Sequence, residues 1–229
     1  MWKGMDENKD QSYFLWTLTQ QELAHTLFPI GGYTKPEVRT LAKKYGLPTA
    51  EKEESQGICF IGEIDLNQFL KKYIPVSCGR VRTTSGKDIG EHEGLSFYTI
   101  GQRHGIGVGG RPRKADEPRP ERAGGIPLYV ASKDFASNTL VVAEGPYDEG
   151  LFSSRASVVD TNWISGKSPE FPFSCDARIR YRQPLQRATV SIGESGAHVL
   201  FDSPQRAVTS GQSIVFYQGD EILGGGVIR

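Results

Sequence analysis

With 229 residues, and 27 Lys and Arg against 27 Asp and Glu, the chain can hold one large or two to three small domains and carries no net charge. That balance excludes a global positive field, so any nucleic-acid contact has to come from local basic patches. No apolar run approaches membrane-spanning length and no signal-like segment opens the chain; Cys59, Cys78 and Cys175 stand far apart without CxxC spacing, so a cytoplasmic protein with no zinc site and no disulfide framework is expected.

The first third reads as helical. Thr19-Gln20-Gln21-Glu22 is a capping-box pattern that opens a short helix through Leu23 and Leu27, stopped by Pro29. Thr34-Lys35-Pro36-Glu37 repeats it, with proline in the first turn, where its missing N–H costs nothing. Val38, Leu41, Ala42 and Tyr45 then share one face, and Gly46 suits the C-terminal cap.

Next comes Glu54-Ser55-Gln56-Gly57-Ile58-Cys59-Phe60-Ile61-Gly62, a cysteine in an apolar run between glycines. The glycines allow a sharp turn and a close approach to a ligand. By itself the segment reads first as a buried structural cysteine. Asp65 is placed to cap a third helix carrying Leu66, Phe69, Leu70 and Tyr73, ended by Pro75.

From Gly79 the texture becomes β. Residues 79–92 alternate like a hairpin turning at Ser85-Gly86. The glycine-rich run 94–110 lacks the Lys-Ser/Thr ending of a phosphate loop, and residues 111–127 read as a solvated linker. Two strands are expected around a Ser137-Asn138 turn. Short apolar runs at 156–159, 188–192, 198–201, 213–217 and 221–228 then predict a small barrel or sandwich. Arg178, Arg180 and Arg182 alternate with Ile179 and Tyr181, which on a strand puts three guanidiniums on one face. Such a stripe either meets phosphates or protects an edge strand.

His25 reads as a surface residue. His92 and His104 flank the glycine-rich run as site candidates or as solvated loop residues. A Cys–His hydrolase built on Cys59 is conceivable but has no matching histidine motif.

Six segments taken in order resemble the tRNA-specific 2-thiouridylase (MnmA/TrmU) family: Asn8-Lys9-Asp10-Gln11-Ser12-Tyr13-Phe14-Leu15, Ser55-Gln56-Gly57-Ile58-Cys59-Phe60-Ile61-Gly62, Gly90-Glu91-His92-Glu93-Gly94, Thr99-Ile100-Gly101-Gln102-Arg103, Arg180-Tyr181-Arg182-Gln183 and Gly211-Gln212-Ser213. The resemblance covers nearly the whole chain. It implies an α+β protein: a helical remnant of the catalytic domain with the persulfide cysteine (1–75), a β-rich central domain (76–147) and a tRNA-contacting C-terminal β-barrel (148–229).

It further implies sulfur transfer to C2 of the uridine at the first anticodon position, with Cys59 as persulfide carrier. Lys9, Asp10, Gln11, Arg180, Tyr181 and Gln212 would be the tRNA contacts. A sulfur-relay donor protein, ATP, magnesium and a disulfide bond belong to the same implied chemistry. The family's Ser-Gly-Gly-x-Asp-Ser loop and second catalytic cysteine are absent from these residues. ATP and magnesium are therefore expected to be bound by an N-terminal half, either joined to this chain or separate, with no metal or cofactor site here. Phe14, Leu15, Trp16 and Leu18 are expected to have lost packing partners to that half. The alternative is a tRNA-binding remnant without chemistry.

Overall fold

The computed structural model describes residues 1–52, 66–103, 106, 126–194 and 196–229, with the backbone alone at 66 and 67. The chain divides into two compact units, one of residues 1–56, 154–204 and 210–229, the other of 57–153 and 205–209. No helix among the described residues is long and apolar enough to cross a membrane.

The first unit opens with a short 3-10 turn, Ser12–Leu15, followed by α1 (Gln20–Leu23) and α2 (Lys35–Lys44). Both expected capping boxes form: the Thr19 and Thr34 backbone N–H groups donate to Glu22 and Glu37, each at 2.7 Å. These reciprocal bonds satisfy donors that a helix start leaves orphaned. They also hold the two exposed glutamates below the usual carboxylate range. α1 ends at Leu23, short of the expected Leu27, which is 90% exposed. α2 buries none of its residues, and Tyr45 at its end is exposed. Gly46 follows in the left-handed region (φ +65°), which suits a C-terminal cap.

Six strands close the barrel of this unit: β5 (Phe152–Trp163), β6 (Phe173–Arg178), β7 (Gln186–Gly193), β8 (Gly196–Arg206), β9 (Ser213–Gln218) and β10 (Glu221–Ile228), in the order β10-β5-β8-β7-β6-β9. Closure leaves no sheet edge, so the edge-protection reading of the arginines loses its premise. The stripe itself is also corrected. β6 ends at Arg178, and Arg180 to Arg182 lie in a turn closed by the Gln183 N–H on the Arg180 carbonyl at 3.1 Å. Arg182 sits at φ +64°, so the period-two alternation does not apply.

Trp16 is 7% exposed and Tyr13 4% exposed, in one core with Ile164, Val215, Tyr217 and Ile222. The partners that Trp16 was expected to lack are thus supplied by the barrel of the same chain. Gly225 on β10 explains the fit. A Cβ there would come within 2.9 Å of the Trp16 indole and 2.5 Å of the Ile214 carbonyl. Phe14 keeps its expected exposure, at 56%.

In the second unit, α3 (Leu66–Leu70) precedes β1 (Gly79–Thr83), β2 (Asp88–His92), β3 (Leu128–Asp134) and β4 (Thr139–Glu144), which form a sheet ordered β2-β1-β4-β3. Both hairpins form at the expected turns, with Gly86 at φ +90° and Asn138 at φ +48°. The pairing of β1 with β4 is parallel. Val81, Leu95, Tyr98, Leu128, Val130, Leu140 and Val142 make this unit's core.

His92 corrects the reading of a solvated or site histidine. It is 2% exposed, its Nε2 is 3.1 Å from the Asn138 carbonyl, and burial pulls its pKa down against that hydrogen bond. His104, the cap at Asp65, residues 105 and 107–110 of the glycine-rich run and residues 111–125 lie outside the described residues.

Candidate functional site

Three of the segments singled out in the sequence meet on the first unit. The Lys9-Asp10-Gln11 turn is built around the Asp10 carboxylate, which is 9% exposed. Its Oδ1 accepts from the backbone N–H of Gly4 and of Ser12, each at 3.0 Å, and its Oδ2 from the Ser12 hydroxyl at 2.8 Å. A carboxylate accepting three hydrogen bonds is a strong local fastener. Asp10 therefore shapes the turn, while Gln11 on one side is exposed and Lys9 on the other half-buried.

The turn leads directly into Tyr13 and Trp16, which tie it to the Gly211-Gln212-Ser213 segment. The Tyr13 hydroxyl donates to the Ser213 carbonyl at 2.8 Å, and the Trp16 Nε1 donates to the Ser213 hydroxyl at 3.0 Å. The Asn162 amide of β5 donates to the carbonyls of Trp16 at 2.7 Å and Leu18 at 3.1 Å, and Gln20 donates to the Ile164 carbonyl at 2.6 Å. Gln212, next to Ser213, is exposed.

Tyr181 completes the cluster. Its ring lies 5.0 Å from Phe14 and 6.5 Å from Tyr13, and the Arg182 guanidinium stands 5.0 Å from its centroid. Arg178 lies over the Tyr217 ring at 5.5 Å. Burial pushes the Tyr13 hydroxyl up to about 12, while Arg180 and Arg178 nearby pull the other way. The result is a group of aromatic rings among guanidiniums, with an exposed amide and a lysine close in sequence. Such a surface suits a polyanion that carries planar rings, because guanidiniums pair with phosphates and aromatic faces stack on bases.

Phe14 and Tyr13 belong to this cluster, although in the sequence they stand only within the first of the six resembling segments, with Phe14 also opening an apolar run and neither among the candidate tRNA contacts. The available signal was their position three and two residues after Gln11, but spacing gives no warning that one ring turns inward and its neighbour outward.

Cys59 lies outside the described residues, so no geometry is assigned to it. The two described cysteines are both free, which leaves the implied disulfide without support among the described residues. Cys78 is exposed; Cys175 is buried, and desolvation pushes its thiol up to about 12. No group of three His, Cys, Asp or Glu among the described residues could hold a metal ion, so the magnesium implied by the resemblance finds no ligand set there.

Residues 1–63 match the family described as tRNA methyl transferase HUP domain, residues 67–144 the tRNA methyl transferase PRC-barrel domain, and residues 153–228 the aminomethyltransferase beta-barrel domain. The chain is 49% identical over 227 residues to the tRNA-specific 2-thiouridylase MnmA of Pseudomonas putida, covering 99% of this chain and 58% of that protein. It is 48% identical over 229 residues to MnmA 2 of Geobacillus kaustophilus (100% and 58%). The MnmA of Streptococcus sanguinis is 46% identical over 228 residues (100% and 59%). The chain thus spans 58–59% of the length of these relatives. The domain descriptions speak of methyl transfer and the relatives of thiolation; similarity across the whole chain is the more specific of the two.

Proposed function

Because this chain belongs to the tRNA-specific 2-thiouridylase (MnmA) family, we propose that it is the sulfur-carrying and tRNA-holding part of an enzyme that makes 2-thiouridine at the first anticodon position. The observation that carries this reading is the unbroken similarity, 46–49% identity along essentially the whole chain to proteins of that name. The proposed division is 1–75 for the end of the catalytic domain, 76–147 for the central domain and 148–229 for the barrel. The proposed setting is the cytoplasm.

The chemistry asks for a leaving group and a sulfur nucleophile. The uridine C2 oxygen leaves poorly until it is adenylated by ATP with loss of pyrophosphate. The outer sulfur of a persulfide on Cys59, delivered by a sulfur-relay donor protein, then attacks C2, and AMP departs with the former oxygen. A second thiol attacks the Cys59 sulfur, which leaves a disulfide and 2-thiouridine. ATP is handled by the family's N-terminal half, whether joined to this chain or separate.

In this reading Lys9, Gln11, Arg180, Tyr181 and Gln212 meet the tRNA, and Asp10 contributes by holding its turn. The convergence of their segments supports one continuous surface. A tRNA-binding remnant without chemistry would share that surface and differ in having no ATP-binding half to work with, so that Cys59 transfers no sulfur.

The test is tRNA binding by the 229-residue chain across a salt series. Arg180→Ala is expected to weaken binding and flatten the logarithmic salt dependence by about one unit, the signature of one lost phosphate contact. Cys59→Ser is expected to bind as the wild type does. Unchanged affinity and slope in Arg180→Ala would remove that arginine from the surface.

A further inference from the structure

Phe14 is 56% exposed, yet it sits between residues that are firmly fastened to the barrel. Its neighbours Tyr13 and Trp16 are buried in the barrel core and hydrogen-bonded to Ser213, and its own N–H donates to the Gln11 carbonyl at 3.0 Å. The ring is braced on two sides, edge-on by Tyr13 at 5.2 Å and by the tilted Tyr181 ring at 5.0 Å. An apolar ring held in water by a rigid mount is placed for a partner, because a preorganised side chain loses little entropy on binding.

The charges around it indicate which partner. Arg182 lies against Tyr181 at 5.0 Å, and Arg178 and Arg180 are close enough to Tyr13 to act on its hydroxyl. An apolar protein face closing over Phe14 would strip water from these guanidiniums and return nothing for it. A nucleic acid would supply phosphates to the arginines and a planar base to the ring.

We propose that Phe14, backed by Tyr181 and Tyr13, is a stacking platform for an unpaired base of the tRNA anticodon loop, with the Arg180 to Arg182 turn holding the adjoining backbone. This rests on the tRNA-binding reading above and adds to it a residue and a mode of recognition. Stacking tolerates any base, so Phe14 sets the position of the loop and not its sequence.

The experiment uses the 229-residue chain and a tRNA transcript carrying 2-aminopurine in turn at each unpaired anticodon-loop position. Wild-type protein is expected to change the fluorescence at one position on binding, as that base leaves its neighbours and stacks on the ring. Phe14→Leu keeps an apolar side chain at the mount but removes the π face. It is expected to bind roughly tenfold more weakly, to lose the fluorescence change and to keep the salt slope. Phe14→Trp is expected to retain both affinity and signal. Arg180→Ala is expected to do the reverse of Phe14→Leu, keeping the signal and losing slope.

Wild-type affinity and signal in Phe14→Leu overturn the platform while leaving the tRNA-binding reading in place. The same result with an added N-terminal half covering the ring would assign Phe14 to a protein contact. A wild-type chain that binds no tRNA overturns both.

Discussion

Asp10 illustrates how a residue can belong to a binding segment without facing the ligand. Its carboxylate is spent on Gly4 and Ser12, so its removal acts on the turn. Asp10→Ala leaves buried donors unpaired and is predicted to cost about 1–3 kcal/mol in urea unfolding, whereas Gln11→Ala, on the exposed side, is predicted to be within about 0.5 kcal/mol of wild type. Equal stabilities would mean that the turn does not depend on the carboxylate. The cysteines divide by environment in the same way. Cys175 is buried with its thiol raised to about 12, so almost none of it is thiolate near neutral pH. In a chain carrying Cys59→Ser and Cys78→Ser, maleimide labelling is predicted to be negligible when folded and complete in denaturant. Rapid labelling of the folded double variant would show that Cys175 is reachable.

Among the elements, β10 and the Ser12–Leu15 turn depend on each other through Gly225. Gly225→Ala is predicted to cost about 1–3 kcal/mol by overpacking and Trp16→Ala about 3–5 kcal/mol by leaving a cavity. The double variant should be more stable than the sum of the two costs implies, because the clash with the indole vanishes with it. Strict additivity would contradict the contact. β2 carries a pH dependence through His92. Burial depresses its folded pKa below the unfolded value of about 6.5. Above about pH 6.5 the imidazole is neutral in both states and adds no slope. As pH falls from there toward the depressed folded value, the unfolded chain takes up the proton first and stability drops. His92→Gln is predicted to flatten that part of the stability–pH curve; an unchanged curve would place the effect elsewhere.

These elements also show what a sequence can and cannot reveal. The two capping boxes, the Ser85-Gly86 and Ser137-Asn138 turns and the short strands after residue 150 are local signals, and local hydrogen bonding decides them. The end of β6 at Arg178 was not legible, because Ile179 and Tyr181 continue the alternation into a turn that the Gln183 side chain helps to close on the Ile179 N–H at 3.2 Å. Nor was the burial of His92 legible, which depends on Asn138 from another hairpin. The convergence of Gln11, Tyr181 and Gln212 segments depends on contacts between residues up to 200 positions apart, such as Tyr13 with Ser213. Only the family resemblance connected them in advance.

At the scale of the whole molecule, the chain spans 58–59% of its relatives' length and carries the segments that point to tRNA and to Cys59. α2, which buries nothing, and the exposed Leu27, Ile30, Tyr45 and Leu47 lie within the stretch matched to the HUP domain. Apolar surface of this kind marks association, and the 229-residue chain is predicted to self-associate in a concentration-dependent way, measurable by analytical ultracentrifugation. A strictly monomeric chain at high concentration would mean that this surface needs no cover. In the function proposed above, this chain supplies Cys59 and the tRNA surface while adenylation comes from the family's N-terminal half. The most direct test mixes the chain with a separately expressed N-terminal half of a relative, tRNA, ATP, magnesium and a persulfide donor, and measures 2-thiouridine by mass spectrometry of digested tRNA. Product is predicted only in the complete mixture and not when Cys59→Ser replaces the wild-type chain; 2-thiouridine formed by the Ser variant, or by the 229-residue chain without its complement, would contradict the account.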